Sequence, residues 1–405
     1  MQKSTPPYFS HSSFHHGLLL VVISAILTLA VMSYSQDFRA DDWAYIKWGQ
    51  QSSLWSAFIH PPPFPYRRPL NAMVWQLQAW FGPEYWGPAQ SILVALWLGC
   101  CYRIYQIGRW INGPNGALIA LVAALALPLF RELIEWRSWL TMTGALMGFL
   151  SAWEALLSKE ASDRIGYRPF LWLIFGAGFR EDTWFYSALL LLSYRRLRPA
   201  AFCFLCLAFQ SWISDTEESR FALAHLPTNL LSLAQSLSET PLIALFIALP
   251  LCWSRSELKR IALFVSVGAL PSLLFYLPNP SYFLFPMLVL SIELARSLSQ
   301  SLQRSHWPAT ICLSIGLLTI AHPSPWKRWS ENAAYQSNVQ EAARNMLPTL
   351  QPETIDAVYC PQKTGAAHWL TQYLHSVHGI PVVDQNDASF VEAYPDIWIK
   401  AQAQP

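Results

Sequence analysis

Three groups of charged residues stand where charge is expensive. The segment DFRADDWAYIKW follows an apolar run, Gly17 to Tyr34, and sets Asp37, Asp41 and Asp42 where the chain leaves that run. Adjacent carboxylates repel each other. That repulsion tunes one of them as a proton acceptor, or the pair shares a divalent cation through its oxygens. The same pair also suits the cap of a helix beginning near Trp43, and on spacing alone the cap is the simpler use. Further on, YRRPL supplies Tyr66, Arg67 and Arg68 beside a proline that fixes the local backbone. A guanidinium held that way matches the oxygens of a phosphate, and equally anchors a chain to lipid headgroups. In LIFGAGFREDTWFYSALLLL, Arg180, Glu181 and Asp182 break what would otherwise be one apolar stretch. Charge at such a junction belongs against protein or a wet cavity, unless the break is only an outer turn between two tilted spans. Glu132, Glu135 and Arg137 of RELIEWRSW form a further charged loop, which can also pair within itself.

The elements that must position these groups are membrane spans. Hydrophobic residues make up 53% of the 405, charged residues 13%, and Trp and Phe number 20 and 22. That charge is about half of what soluble chains carry, at roughly 25%. A net charge of +2 leaves no basic excess for a nucleic-acid surface. The run at 17–34 reads as a retained signal anchor, since no small-residue cleavage box follows it. Further spans are expected at 88–107, 114–130, 138–157, 169–179, 183–194, 199–213, 240–253, 261–277, 281–299 and 307–321, about eleven in all. With the N-terminus cytoplasmic, fourteen basic residues from Lys3 to Arg304 fall inside. Only Arg131, Arg137, Arg180 and Arg220 fall on the short outer loops. The short segments 169–179 and 183–194 also fit one broken hairpin.

Two polar regions then face outward, the loop 35–87 and the tail 322–405. The loop shows an amphipathic helix over 42–59, with Trp43, Ile46, Trp55 and Phe58 among its apolar positions. The brake PPPFP and a second apolar-faced stretch from Leu70 to Phe81 follow. The tail reads as a small α/β unit, with helices over 331–347 and 366–378 and strands at 354–359 and 381–384. Six of the seven cysteines lie in apolar stretches and act as small hydrophobes, including the Cys203–Cys206 pair. His11, His15 and His16 form a polar start and not a zinc set.

The order of these motifs, with DDWAYI after the first span, YRRPL next, FREDT between two short spans and YLPNPSYFLFP late, resembles the GT-C superfamily of membrane glycosyltransferases. Within it the chain is similar to the lipid A aminoarabinose transferase and protein O-mannosyltransferase types, over roughly residues 17–300. The resemblance implies that Asp41 is the catalytic carboxylate and that Asp42 supports it or shares a cation. Tyr66, Arg68, Pro69 and Leu70 match the family's FYRPL segment with Arg67 inserted. REDT stands where the family has SKE or TKG, so Arg180 takes the place of a lysine that meets the lipid phosphate, with Glu181 beside it. Arg keeps the charge but not the shape. The late motif PSYFLFP lacks the family's usual charged pair, which makes Arg137 a candidate substitute, and Asp37 completes the acidic set.

The resemblance also implies transfer of a sugar from a polyprenyl-phosphate-linked donor to a lipid, glycan or protein acceptor at the outer face of the membrane. The reaction would invert the anomeric centre, with no certain cofactor beyond a divalent cation at Asp41 and Asp42. Two other classes are weighed beside it. A transporter or flippase of lipid-linked sugars would place its charge near the midplane, whereas the charged breaks here cluster at one face. A noncatalytic subunit of envelope-glycan assembly is consistent with the missing late charges. The expected architecture is an all-α polytopic membrane protein of GT-C type, residues 1–321 with the loop 35–87, followed by a small extracytoplasmic α/β domain at 322–405. A signal anchor and compact loops fit a bacterial inner membrane.

Overall fold

The computed structural model describes residues 41–51, 68–81, 87–127, 139–158, 167–193, 196–213, 226–231, 284–302, 355–361, 378–383, 389–394 and 397–401. It also describes single positions at 53, 55, 130, 133, 134, 267, 268, 273, 370, 371, 374, 375. The chain divides into two compact units. One comprises Met1–Ser33, Val94–Ile134 and Thr141–His322, the other Tyr34–Leu93, Glu135–Leu140 and Pro323–Pro405.

Among the described residues the longer helices are α1 (Asp41–Gln51), α2 (Pro69–Phe81), α3 (Gly87–Ala126), α4 (Leu140–Leu157), α5 (Arg168–Phe179), α6 (Asp182–Ser193), α7 (Leu197–Ile213) and α8 (Leu284–Leu302). From α3 to α8 they fall on the candidate spans at 88–107, 114–130, 138–157, 169–179, 183–194, 199–213 and 281–299. The candidates at 17–34, 240–253 and 307–321, and most of 261–277, lie outside the described residues. α3 is two limbs joined at Gly113, whose φ of 71° is open to glycine at little cost and which precedes a proline. Its first limb, Pro88–Ile111, and α4 are each long and apolar enough to cross a bilayer.

In the first unit, α3 packs on α4 through Cys100, whose Sγ reaches the Thr143 carbonyl, and through the ion pair Arg103–Glu154. Burying those two charges together keeps either from standing alone in an apolar setting, and the Trp172 ring covers the Arg103 guanidinium. Phe285 of α8 closes the core. It stacks on Tyr186 with ring centroids 4.3 Å apart and meets Phe149 edge-on at 5.4 Å. Outward, Leu171 and Ile174 of α5 and Leu197, Phe202, Leu205 and Phe209 of α7 are 50–69% exposed. That many large apolar side chains on one surface suit hydrocarbon and not water.

Helices without a hydrophobic drive between them associate through small residues. α4 carries Gly144 and Gly148 one turn apart, and α5 meets them through Phe179 and Gly176. A Cβ at Gly148 would lie 2.5 Å from the Gly176 Cα. The obstruction is backbone and cannot rotate away. Gly148→Val is therefore expected to cost ~1–3 kcal/mol, read as a lower thermal unfolding midpoint in detergent. An unchanged midpoint would mean that α4 and α5 do not approach this closely.

In the second unit, among the described residues, four strands, β1 (Ile355–Tyr359), β2 (Val382–Val383), β3 (Phe390–Tyr394) and β4 (Ile397–Ala401), form one sheet in the order β2-β1-β4-β3. β1 and β2 pair in parallel, which demands a crossover, and the described positions between them at 370, 371, 374, 375 and 378 are helical. Gly379 ends that helix in the left-handed region, its N–H donating to the His375 carbonyl. β3 and β4 pair antiparallel across Pro395 and Asp396. β1 and β2 coincide with the strands expected at 354–359 and 381–384, and β3 and β4 are additional.

Candidate functional site

The first turn of α1 carries Asp41 and Asp42, and the start of α2 carries Arg68. α1 starts at Asp41 itself, so both aspartates belong to the first turn instead of preceding a helix that begins at Trp43. There the unpaired amides of the helix end favour negative charge. The single helix expected over 42–59 breaks at Ser53, which is not helical, and Trp55 beyond it is exposed. Serine side chains compete with the backbone for hydrogen bonds, so a Ser52–Ser53 pair is a weak place to continue a helix.

α1 and α2 run side by side in the same direction. Tyr45 stacks on Trp75, with centroids 5.0 Å apart and ring planes 8° apart. One turn on, Gly49 sits so close that a Cβ would meet the Ala79 Cβ and the Trp75 carbonyl at 2.8 Å. This register sets the turn of Asp41 and Asp42 level with Asn71, and Arg68 one turn before it. The Arg68 carbonyl accepts the first helical hydrogen bond of α2 from Ala72 N–H at 2.9 Å, which makes Arg68 the cap residue, and Pro69 fills the first position, where a missing N–H costs nothing. The structure thus brings Asp41, Asp42 and Arg68 to one end of a helix pair. Asp42 is fully enclosed and Arg68 half-buried. At the far end of α2, Gln78 accepts a hydrogen bond from Ala89 N–H at 3.0 Å and ties α2 to the start of α3.

Among the described residues, α2 also holds buried polar atoms without a hydrogen-bond partner: both Nδ2 and Oδ1 of Asn71, Nε1 of Trp75 and Oε1 of Gln76. Each such group costs ~1–3 kcal/mol relative to being satisfied. No charge or motif in the sequence marks Asn71 or Trp75. Their spacing from Arg68, three and seven residues on and therefore on one helical face, was the available signal.

The first unit holds the second charged group. Arg180 takes an extended conformation (φ −160°, ψ 132°) between α5 and α6, donating its N–H to the Gly176 carbonyl at 2.9 Å. The carbonyls of Arg180 and Glu181 accept from Thr183 and Trp184, so the charged break is itself the first turn of α6. Arg180 Nε lies 2.7 Å from Asp182 Oδ2, a charge contact without the alignment of a hydrogen bond, and Nη1 reaches the Met142 sulfur at 3.9 Å. By sequence Asp182 is one more charge of the break; in the structure it is an ion partner of Arg180. Trp184 Nε1 donates to Gln210 Oε1, and Gln210 Nε2 donates to the Ala177 carbonyl, so α7 clamps both half-helices around the break.

Asp37, Tyr66, Arg67 and Arg137, and the greater part of YLPNPSYFLFP, lie outside the described residues. Among the described residues no three His, Cys, Asp or Glu side chains gather as a metal site.

Short helices broken by charge, a close-packed helical core and a parallel helix pair that begins with two aspartates are the described framework of the candidate site. By sequence the chain matches no protein-family model and no curated protein. By structure it is similar to ArnT from Cupriavidus metallidurans. It matches the crystal structure with undecaprenyl phosphate bound at a TM-score of 0.57 and 11% identity, covering 93% of this chain and 87% of that one. The apo crystal structure of the same ArnT matches at a TM-score of 0.57 and 13% identity, with the same coverage. At that identity the likeness is one of fold.

Proposed function

We propose that this chain is an inverting glycosyltransferase that moves a sugar from a polyprenyl-phosphate donor to an acceptor at the outer face of the membrane. The observation that carries the reading is the fold it shares, over 93% of its length, with a protein crystallised with undecaprenyl phosphate. The local chemistry agrees. Asp41 and Asp42 at the start of α1 stand level with the first turn of α2, which Arg68 caps, and Arg180 sits in a charged break between half-helices.

In this mechanism the Asp41 carboxylate takes the proton of an acceptor hydroxyl as its oxygen bonds to the anomeric carbon. The bond from that carbon to the phosphate oxygen breaks on the opposite side, and its electron pair leaves on the polyprenyl phosphate. Configuration is therefore inverted. Arg68, with Tyr66 and Arg67 beside it in sequence, donates to the phosphate oxygens as negative charge grows there; Arg180 is a second candidate for that role, and Arg137 a candidate for the charge that the late motif lacks. Asp42 supports Asp41, while Glu181 and Asp37 are assigned to substrate binding. The two aspartates offer the hard oxygen ligands that a divalent cation takes alongside phosphate and water. Assays with EDTA and with added Mg2+ read that role.

The eleven-span topology belongs to the same proposal, with a cytoplasmic N-terminus, an extracytoplasmic tail and a bacterial inner membrane as the site. Reporter fusions after residue 196 and within the tail are expected on opposite sides of the membrane; a shared side would overturn the topology. The activity itself is tested by mass analysis of envelope glycans from cells with and without the gene product. A sugar substituent present only with the protein is expected, and identical glycans would reject the reading.

A further inference from the structure

We propose that the α1–α2 pair contains a sugar-recognition subsite centred on Asn71 with the Nε1–H of Trp75, which holds the hydroxyl or amino groups of the transferred sugar. The inference rests on the glycosyltransferase reading above and adds what that reading leaves unassigned, the group that reads the carbohydrate.

Three observations converge on it. Asn71 is 0% exposed, yet among the described residues neither its donor nor its acceptor atom has a partner. Native interiors seldom tolerate a wholly unpaired amide, and those that persist tend to serve something other than the fold. Trp75, one turn further along the same face, is fully buried by its stack on Tyr45, and its Nε1–H is also unpartnered. The indole is thus fixed in position with its one donor unused. Finally, the register of α1 against α2 sets Asn71 level with Asp41 and Asp42. Arg68 lies three residues before Asn71 along α2, a rise of about 4.5 Å.

That interval suits a phosphosugar. With the phosphate at Arg68 and the anomeric carbon near Asp41, the ring of a pyranose or pentose falls alongside Asn71. An amide is suited to the task because it donates and accepts at once, as does each sugar hydroxyl. A site built to pair with such groups discriminates strongly against ligands that lack them.

The test uses the full-length protein in lipid nanodiscs and measures the binding of undecaprenyl phosphate and of the same lipid carrying glucose, arabinose or 4-amino-4-deoxyarabinose. Wild type is expected to bind undecaprenyl phosphate and to gain at least tenfold from one of the sugars. Asn71→Leu, of the same branched shape and heavy-atom count but without polar atoms, is expected to keep the affinity for undecaprenyl phosphate within twofold and to lose that gain, with an unfolding midpoint equal to or above wild type. Trp75→Phe keeps the stack on Tyr45, removes only the N–H, and is expected to lose part of the gain. Undiminished sugar discrimination in both variants, no gain from any sugar in wild type, or a lower midpoint for Asn71→Leu would each overturn the subsite. Failure of wild type to bind undecaprenyl phosphate at all would instead overturn the underlying functional reading.

Discussion

Asp41→Asn is expected to lower the rate of sugar transfer by about 10²–10⁴-fold, the usual range for removal of a positioned general base. Asparagine has nearly the same shape and suits the first turn of a helix, so α1 and its packing on α2 should survive. The variant should insert, purify and unfold as wild type does, and should bind donor lipid unchanged. Asp42→Asn is expected to cost less, since Asp42 supports the base and does not take the proton. Full transfer by Asp41→Asn would remove it as the base.

Arg180→Ala should lower kcat/KM for the lipid donor by about 10²–10³-fold, the range for losing a donor aimed at developing charge, with the KM for the acceptor unmoved. Because Asp182 lies 2.7 Å from Arg180 Nε, the substitution also takes away an ion partner, and a stability loss is expected beside the kinetic one. Arg180→Lys separates the two effects. It restores a positive charge without the planar fork, so stability should return while donor use recovers only in part. Donor kinetics unchanged in Arg180→Ala would reject a phosphate role for this residue.

How far the sequence speaks differs from element to element. The apolar runs between Pro88 and Ser193 translate almost directly into helices, because a span must satisfy its own backbone. The REDT break is equally legible, since four polar residues in an apolar stretch leave a helix little choice but to end. Asn71 was not, because an amide inside an amphipathic stretch looks like any other polar position until its neighbours are known. The pairing of Arg180 with Asp182 was hidden by the same limit. Adjacent charges announce a cluster, but which of them meet depends on the extended backbone at Arg180. The break at Ser53 is hidden in the sequence because Trp55 and Phe58 carry the apolar period across it. β3 and β4 escaped because the alternation in FVEAY and IWIKA is short, and only the Pro-Asp link between them marks a hairpin.

The central proposal, that an acid at the start of α1 drives removal of a sugar from an isoprenoid phosphate, is tested most directly by following the sugar. Membranes from cells lacking the gene, restored with wild type or with Asp41→Asn, are given polyprenyl phosphosugars radiolabelled in the sugar: a hexose, a pentose and an aminoarabinose. With wild type, label from one donor should leave the lipid and appear on an envelope acceptor, and with Asp41→Asn it should remain on the lipid. Label moving equally with both proteins, or with neither for every donor, would contradict the proposal.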